Sequence, residues 1–426
     1  MELRGYLVDR KEDIKNIDVK PRKIKFEKTK DFVTSVIGPR RAGKTYFLYH
    51  LTKSLRLQEE DYLFVNFEEI FEPINILNLP IIHKELYGKL PDFIFFDEIQ
   101  ALGKWEKQIY SLYEKKRYHI FITGSSSKLL SKEIVTQLRG RTVTTKIFPF
   151  SFKEILEIAG ISGEPKTISS YEEGSIKHVI KKHLLSQFPD VVLGNINPRD
   201  FFRDYLSLVI YRDIIERYGI KNRYMLELFL RSVIDSNCRE FSVHKLYNSI
   251  KSQGIKVSKK TLYNFQKISE DVMVVYFLKK FSRGLRKREL TIPKVYLTDP
   301  GLYNYLVEKD FSKSMENAVF LELIKGSESL GGFEGFDAGD VFYYKTRDGR
   351  EVDFLIRKDS KLVLIEVAYS MDEEHIRKVR KAMEELNLKR AFIVTWDEED
   401  VLVDKGREIR ITPFWKMILV GFGVLG

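Results

Sequence analysis

Over the first 150 residues, short apolar runs alternate with amphipathic stretches. The runs FVTSVIG (32–38), DYLFVNFE (61–68), DFIFFDE (92–98) and YHIFITGS (118–125) are rich in Phe, Ile and Val with few polar breaks. A strand that is apolar on both sides needs cover on both sides, so these runs predict a parallel sheet flanked by helices. KTYFLYHLTKSL (44–55) has the spacing of the first such helix. The fold class predicted for residues 1–150 is therefore α/β. From Pro149 to Pro198 the pattern turns helical, with SFKEILEIAG and SIKHVIKKHLLSQF, and predicts a helical lid over 151–198. Residues 199–300 are mostly helical in spacing, and 241–281 read as helix, turn, helix and apolar strand, the order of a winged helix. Residues 301–426 return to α/β alternation through VFYYKT, EVDFLIR, KLVLIEVAY and RAFIVTW. The closing run ILVGFGVLG falls short of the roughly 20 residues that span a bilayer and is predicted as a buried strand or docking tail.

A chain of 426 residues exceeds one ordinary core, which agrees with a division into several domains. Its single cysteine, Cys238, excludes an internal disulfide and a Cys-rich zinc site. The start MELRGYLVDRKED lacks the apolar core of a secretory signal, so a cytoplasmic protein with no membrane partner is expected. Lys and Arg number 72 against 61 Asp and Glu, and the net charge of +11 favours a polyanionic partner such as DNA. The 31% charged content with scarce Cys resembles thermophile usage.

Residues 38–45, GPRRAGKT, match the pattern G-x-x-x-x-G-K-[ST] at every fixed position, between a predicted strand and a predicted helix. Gly38, Pro39, Arg40, Arg41, Ala42 and Gly43 are expected to curl around phosphate oxygens at the positive end of that helix. Lys44 is expected to reach the terminal phosphates, and Thr45 to offer its hydroxyl to Mg2+. Downstream, the apolar residues Phe93 to Phe96 lead into Asp97 and Glu98. Buried carboxylates are costly without a counter-charge. Asp97 in the magnesium shell and Glu98 polarising the attacking water would account for both acids. At the end of the next strand Ser125, or else Thr123, is placed to bond the γ-phosphate or the water.

GPRRAGKT, FFDEIQ, the strand ending TGSSS and LRGRTVTTKIFPFSFKEIL (138–156) together resemble the AAA-type ATPases of archaea and bacteria. In these an ATPase core precedes a winged helix and a nuclease-like C-terminal domain. The resemblance covers most of the chain and implies ATP as the nucleotide and ATP hydrolysis as the activity. A family signature, GR followed by a proline-containing SF-x-E segment, is matched by Gly140, Arg141, Pro149, Ser151, Phe152 and Glu154. It implies an arginine at the γ-phosphate, Arg141 first and Arg139 in reserve. Acting across a subunit boundary, that arginine would require a homo-oligomeric ring or dimer.

In the middle block, HKLYNSIKSQG and SKKTLYNFQKI flank a turn at Gly254, with Ser258 as a plausible N-cap. Lys259, Lys260, Tyr263 and Asn264 then open the second helix, where DNA contacts are made in such folds. The basic stretch SRGLRKRELTIPK (282–294) is the candidate wing, with Arg283, Arg286, Lys287 and Arg288 toward phosphates. Docking to a protein partner is the competing use.

In the last block, ENAVFLELIK, GREVDFLIR and LVLIEVAY line up like the helix and two strands of the PD-(D/E)xK nuclease fold, a restriction-endonuclease-like α/β domain. Glu316, Asp353 and Glu366 form a candidate second metal site. The lysine expected two residues beyond the last acid, on the same strand face, is Ala368. The domain is therefore expected to bind rather than cleave, unless Lys345 or Lys378 substitutes.

The leading expectation is a DNA-associated ATPase acting on branched or broken DNA in repair or recombination. The alternative is a nucleotide-dependent signalling or defence switch that works through protein contacts, and a third is an ATP-regulated nuclease.

Overall fold

The computed structural model describes residues 3–24, 26, 29–70, 74–124, 140–161, 168–325, 340–358 and 361–420. The chain divides into two compact units, Met1–Phe148 with Asp271–Met273, and Pro149–Glu270 with Val274–Gly426.

The first unit is built on five parallel strands: β1 (Val33–Ile37), β2 (Tyr62–Asn66), β3 (Phe93–Asp97), β4 (His119–Gly124) and β5 (Thr142–Lys146). Their order is β2-β3-β4-β1-β5, so β4 lies between the strand that enters the glycine loop and the strand that ends in the two acids. All residues of β1 and β3 are buried. Side chains alternate across a strand, and the consequence is visible in β3. Ile94 and Phe96 join one apolar core with Leu63, Ile109 and Ile120, while Phe93 and Phe95 join a second with Val36, Phe47 and Phe121. This double burial is why the strands read as unbroken apolar runs. A helix that the pattern did not predict, Leu3–Asn16, adds Tyr6 and Leu7 to the first core and Ile14 to the second.

The second unit begins with a helix at Phe152–Ile158 and continues through Ser170–His183 and Pro198–Leu208, the last running into a π-helical segment at Val209–Glu216. Helices Arg223–Asp235, Val243–Ser252 and Lys259–Asp271 follow, then β6 (Val275–Leu278) and β7 (Lys294–Leu297), paired antiparallel. Between these strands the candidate wing is not a plain hairpin: Leu285–Glu289 forms a short helix. LRKRE lacks two-residue alternation and consists of good helix formers, which accounts for the difference.

The remaining strands are β8 (Val341–Lys345), β9 (Glu351–Lys358), β10 (Lys361–Ala368), β11 (Arg390–Thr395), β12 (Asp400–Asp404) and β13 (Arg407–Pro413). They form a mixed sheet in the order β12-β13-β11-β10-β9-β8, accompanied by helices Phe311–Lys325 and Glu373–Leu386. The edge of this sheet reaches the chain that leaves β6, since Phe281 N–H donates to the Tyr343 carbonyl at 2.8 Å and Tyr343 N–H to that of Lys279 at 3.2 Å. A helix at Phe414–Val420, with Phe414, Met417 and Ile418 buried, takes in the first three residues of the closing run; residues 421–426, the rest of that run, lie outside the described residues. Among the described residues no helix is long and apolar enough to cross a membrane.

Candidate functional site

The glycine loop leaves the C-terminal end of β1. Gly38 is required by close approach: a Cβ there would stand 2.1 Å from the Ile147 carbonyl oxygen. Gly43 has φ 92, in the left-handed region that glycine enters without strain, and the helix Lys44–Ser54 starts directly after it. Lys44 is buried and folds back on the loop, donating to the carbonyls of Gly38 at 3.2 Å and Pro39 at 3.1 Å. The sequence pattern gave no sign of Arg22. Its guanidinium donates to the carbonyls of Ala42 at 3.0 Å and Phe148 at 2.8 Å, bracing the loop from beneath.

Opposite the loop, β3 delivers Asp97, fully buried, and the Thr45 hydroxyl donates to its Oδ2 at 2.7 Å. β4 contributes Thr123, whose hydroxyl donates to Asp97 Oδ1 and accepts from the Glu98 N–H at 2.9 Å. Glu98 turns out of the strand at φ 49, and its carboxylate accepts from the Gln100 side chain. Burial, aided by the neighbouring Glu98, pushes Asp97 up to about 6, although Thr123, Thr45 and Lys44 all pull it down. The three strand ends thus gather Lys44, Thr45, Asp97, Glu98 and Thr123 beside one loop. Of the two residues considered for the end of β4, Thr123 joins this group, while Ser125 lies outside the described residues.

Arg141 stands away from the phosphate loop of its own chain. It precedes β5, its carbonyl accepts from Val33 N–H, and Val33 pairs with Thr142 at the start of β1. The loop lies at the other end of β1, about 17 Å away for five strand residues. That is beyond the reach of an arginine, and Arg141 instead pairs with Glu114 at 2.8 Å. Arg139 lies outside the described residues.

In the second unit, Glu316, Asp353 and Glu366 come into one neighbourhood, but lysines stand among them. Lys294, its side chain 2% exposed, contacts Glu316 at 2.7 Å, Asp353 at 2.8 Å and Glu351 at 2.9 Å. Lys378 pairs with Glu366, and Lys345 with Glu240 at 2.8 Å and Glu351 at 3.4 Å. The Tyr296 hydroxyl donates to Glu316 at 2.7 Å, and Val367 N–H to Asp353 at 3.0 Å. Burial draws the Lys294 ammonium down, yet Asp353 and Glu316 outweigh it and hold its pKa well above the usual lysine value. Burial and the charge of Asp353 push Glu316 up to about 7 and Glu366 well above the carboxylate range. Among the described residues no group of three or more His, Cys, Asp or Glu is arranged to hold a metal ion. Lys294 and Glu351 escaped the sequence reading, because Lys294 closes a basic stretch in which Arg283, Arg286 and Lys287 face water.

The helix Lys259–Asp271 turns Leu262, Phe265 and Ile268 inward and leaves Lys259, Lys260, Tyr263, Asn264 and Lys267 exposed. Arg286 and Lys287 are exposed on the segment between β6 and β7, whereas Arg288 folds over the Phe342 ring at 5.2 Å.

The phosphate-binding loop, the paired threonines and the acids at neighbouring strand ends define the class of the first unit as a P-loop domain of the AAA type. The family model for an AAA domain matches residues 30–156, and models of two domains of unknown function, DUF8612 and DUF4143, match 178–313 and 311–416. An uncharacterized protein of Methanocaldococcus jannaschii is 32% identical, over 97% of this chain and 94% of its own. The chain belongs to the same family as that protein. An uncharacterized protein of Haemophilus influenzae is 26% identical over 82% of this chain and 85% of its own length. Among solved structures, the Orc1 protein of Aeropyrum pernix in complex with DNA matches 68% of this chain and 86% of its own at 12% identity and a TM-score of 0.29. AMPPCP-bound DnaA from Aquifex aeolicus matches 61% and 85% at 14% identity and a TM-score of 0.24. Scores that low carry no weight for fold or function.

Proposed function

We propose that this protein binds ATP with Mg2+ at residues 38–45, hydrolyses it, and couples that cycle to DNA. The observation that carries the reading is the convergence of Thr45, Asp97, Thr123 and Glu98 at the mouth of the loop. The residues fit a divalent ion. A hydroxyl and a carboxylate oxygen lie 2.7 Å apart, and the raised pKa of Asp97 reports a buried carboxylate without a full counter-charge. Magnesium would supply charge neutralisation at the β- and γ-phosphates. Lys44, released from the loop carbonyls by incoming phosphate, adds a fixed positive charge there. Glu98 accepts a proton from the attacking water. Thr123, held by Asp97, keeps the Glu98 backbone in its left-handed turn. Assembly into a ring or dimer would let Arg141, on the far side of its own sheet, serve a neighbouring subunit.

The exposed cations of the helix Lys259–Asp271 and of residues 283–288 support DNA as the partner, together with the net charge of +11. Branched or broken DNA is the substrate class this reading favours. The C-terminal sheet serves binding rather than cleavage, since Lys294 and Lys378 neutralise the acids internally.

Steady-state ATP hydrolysis with Mg2+, alone and with single-stranded, duplex and branched DNA, tests the proposal. Stimulation by one DNA form, lost at high salt and abolished in Lys44→Ala, is the expected outcome. Normal turnover by Lys44→Ala would refute the site, and turnover indifferent to every DNA would favour the protein-docking switch.

For the acid cluster, Lys294→Met is expected to lower the melting temperature, because removing one partner of a buried ion pair costs about 3–5 kcal/mol. Millimolar Ca2+ should restore much of that loss in the nucleotide-free variant and leave the parent protein unchanged. Equal calcium responses in both proteins would count against Lys294 as the internal counter-ion.

A further inference from the structure

The segment between β6 and β7 carries leucines where solvent-facing polar residues would be ordinary. Leu285 is 63% exposed, Leu290 77% and Ile292 40%, the one place among the described residues where three exposed large apolar side chains fall within eight positions. Arg283, Arg286 and Lys287 stand exposed beside them, and the one acid, Glu289, is paired with Lys279. The base of the segment is fastened down. Tyr343 donates its hydroxyl proton to the Ile292 carbonyl at 2.6 Å, Thr291 donates to that of Arg288 at 2.8 Å, and Arg288 covers the Phe342 ring. The result is a short segment, held at its base, that exposes Leu285 and Leu290 at the two ends of one helical turn with cations between them.

We infer that this segment is a wedge that kinks duplex DNA, with Leu285 and Leu290 entering a base step while Arg283, Arg286 and Lys287 neutralise the adjoining phosphates. The inference rests on the DNA reading above and goes beyond it by assigning a mechanical role to residues that contact no phosphate. Apolar wedges unstack a base step with one or two side chains and bend the duplex away from them. Membrane-surface helices need a much longer apolar face than a five-residue helix can present. The helix preceding the ribbon also exposes Lys259, Lys260 and Lys267, further cations of the kind a duplex would meet.

The test uses the full-length protein and a duplex carrying a dye at each end and 2-aminopurine at its centre. Energy transfer reports bending, and 2-aminopurine fluorescence reports unstacking. The native protein should raise both signals. Leu285→Ser/Leu290→Ser alters only exposed positions, so its melting temperature should hold. It should bind within about threefold of native affinity, since phosphate contacts supply most of the binding, yet lose the bend and the unstacking. Arg286→Ala/Lys287→Ala should lose about tenfold or more in affinity and flatten the salt dependence by roughly two counterions. A leucine variant that bends and unstacks DNA like the native protein would overturn the wedge and leave DNA binding intact. Failure of the native protein to bind any duplex would remove the DNA reading itself. Leucine-dependent binding to anionic vesicles without DNA bending would replace the wedge with a membrane-surface contact.

Discussion

Asp97→Asn is expected to stabilise the nucleotide-free protein while abolishing magnesium-dependent turnover. The carboxyl is pushed up to about 6 in the fold against 3.8 for an ordinary aspartate, so between these pH values the folded chain holds a proton that the unfolded chain has lost. Stability therefore falls as pH rises through that window and levels off above it, by on the order of 1–3 kcal/mol. Asparagine has no charge to desolvate. Thr123 can still donate to its carbonyl oxygen, and the Thr45 hydroxyl can turn to accept from its amide. The variant should show a higher melting temperature than the native protein at pH 8, and the difference should shrink as pH falls through 6 and disappear only below 3.8. Adding Mg-ATP should stabilise the native protein but not the variant. A variant less stable than the native protein at pH 8 would mean that the carboxylate is already compensated in the fold.

Glu98→Gln is the second large effect. Glu98 follows a buried strand but is itself only half-buried, and it touches neither the loop carbonyls nor Thr45. Removing its proton-accepting oxygen should lower kcat about 10²–10⁴-fold, while ATP affinity, set by the loop, Lys44 and Thr45, stays within a few-fold. The expected picture is a protein that loads ATP and keeps it, read by filter binding beside a turnover assay. Parallel losses of affinity and turnover would make Glu98 part of the binding surface instead.

Much of the first unit was legible because its strands are buried on both faces, which forces long apolar runs such as FIFF before Asp97. The loop was legible because phosphate binding demands Gly38 and Gly43 at fixed spacing. Arg22 was not, since it acts across 126 residues on the Phe148 carbonyl and has no local pattern. Which chain's phosphate Arg141 could serve was not legible, because sequence shows that it precedes a strand but not which end of the sheet that strand presents. In the second unit Asp353 on β9 and Glu366 on β10 stood out because each sits in an apolar strand, as in the nuclease-like pattern. Lys294 did not, because a buried cation and a solvated one look alike in a basic stretch, and only the carboxylates brought by distant elements tell them apart. β12 and β13 were missed because Glu, Arg and Asp interrupt their apolar positions.

The ammonium of Lys294 also bears on how this chain can be divided. The two matches of unknown function meet at residues 311–313, with Lys294 on one side and Glu316, Glu351 and Asp353 on the other. A cut at that seam would strand a buried cation in one fragment and three carboxylates in the other. The stretch that looks like two modules is therefore tied together by one shared buried charge, and a fragment ending at the seam would leave that charge without its partners.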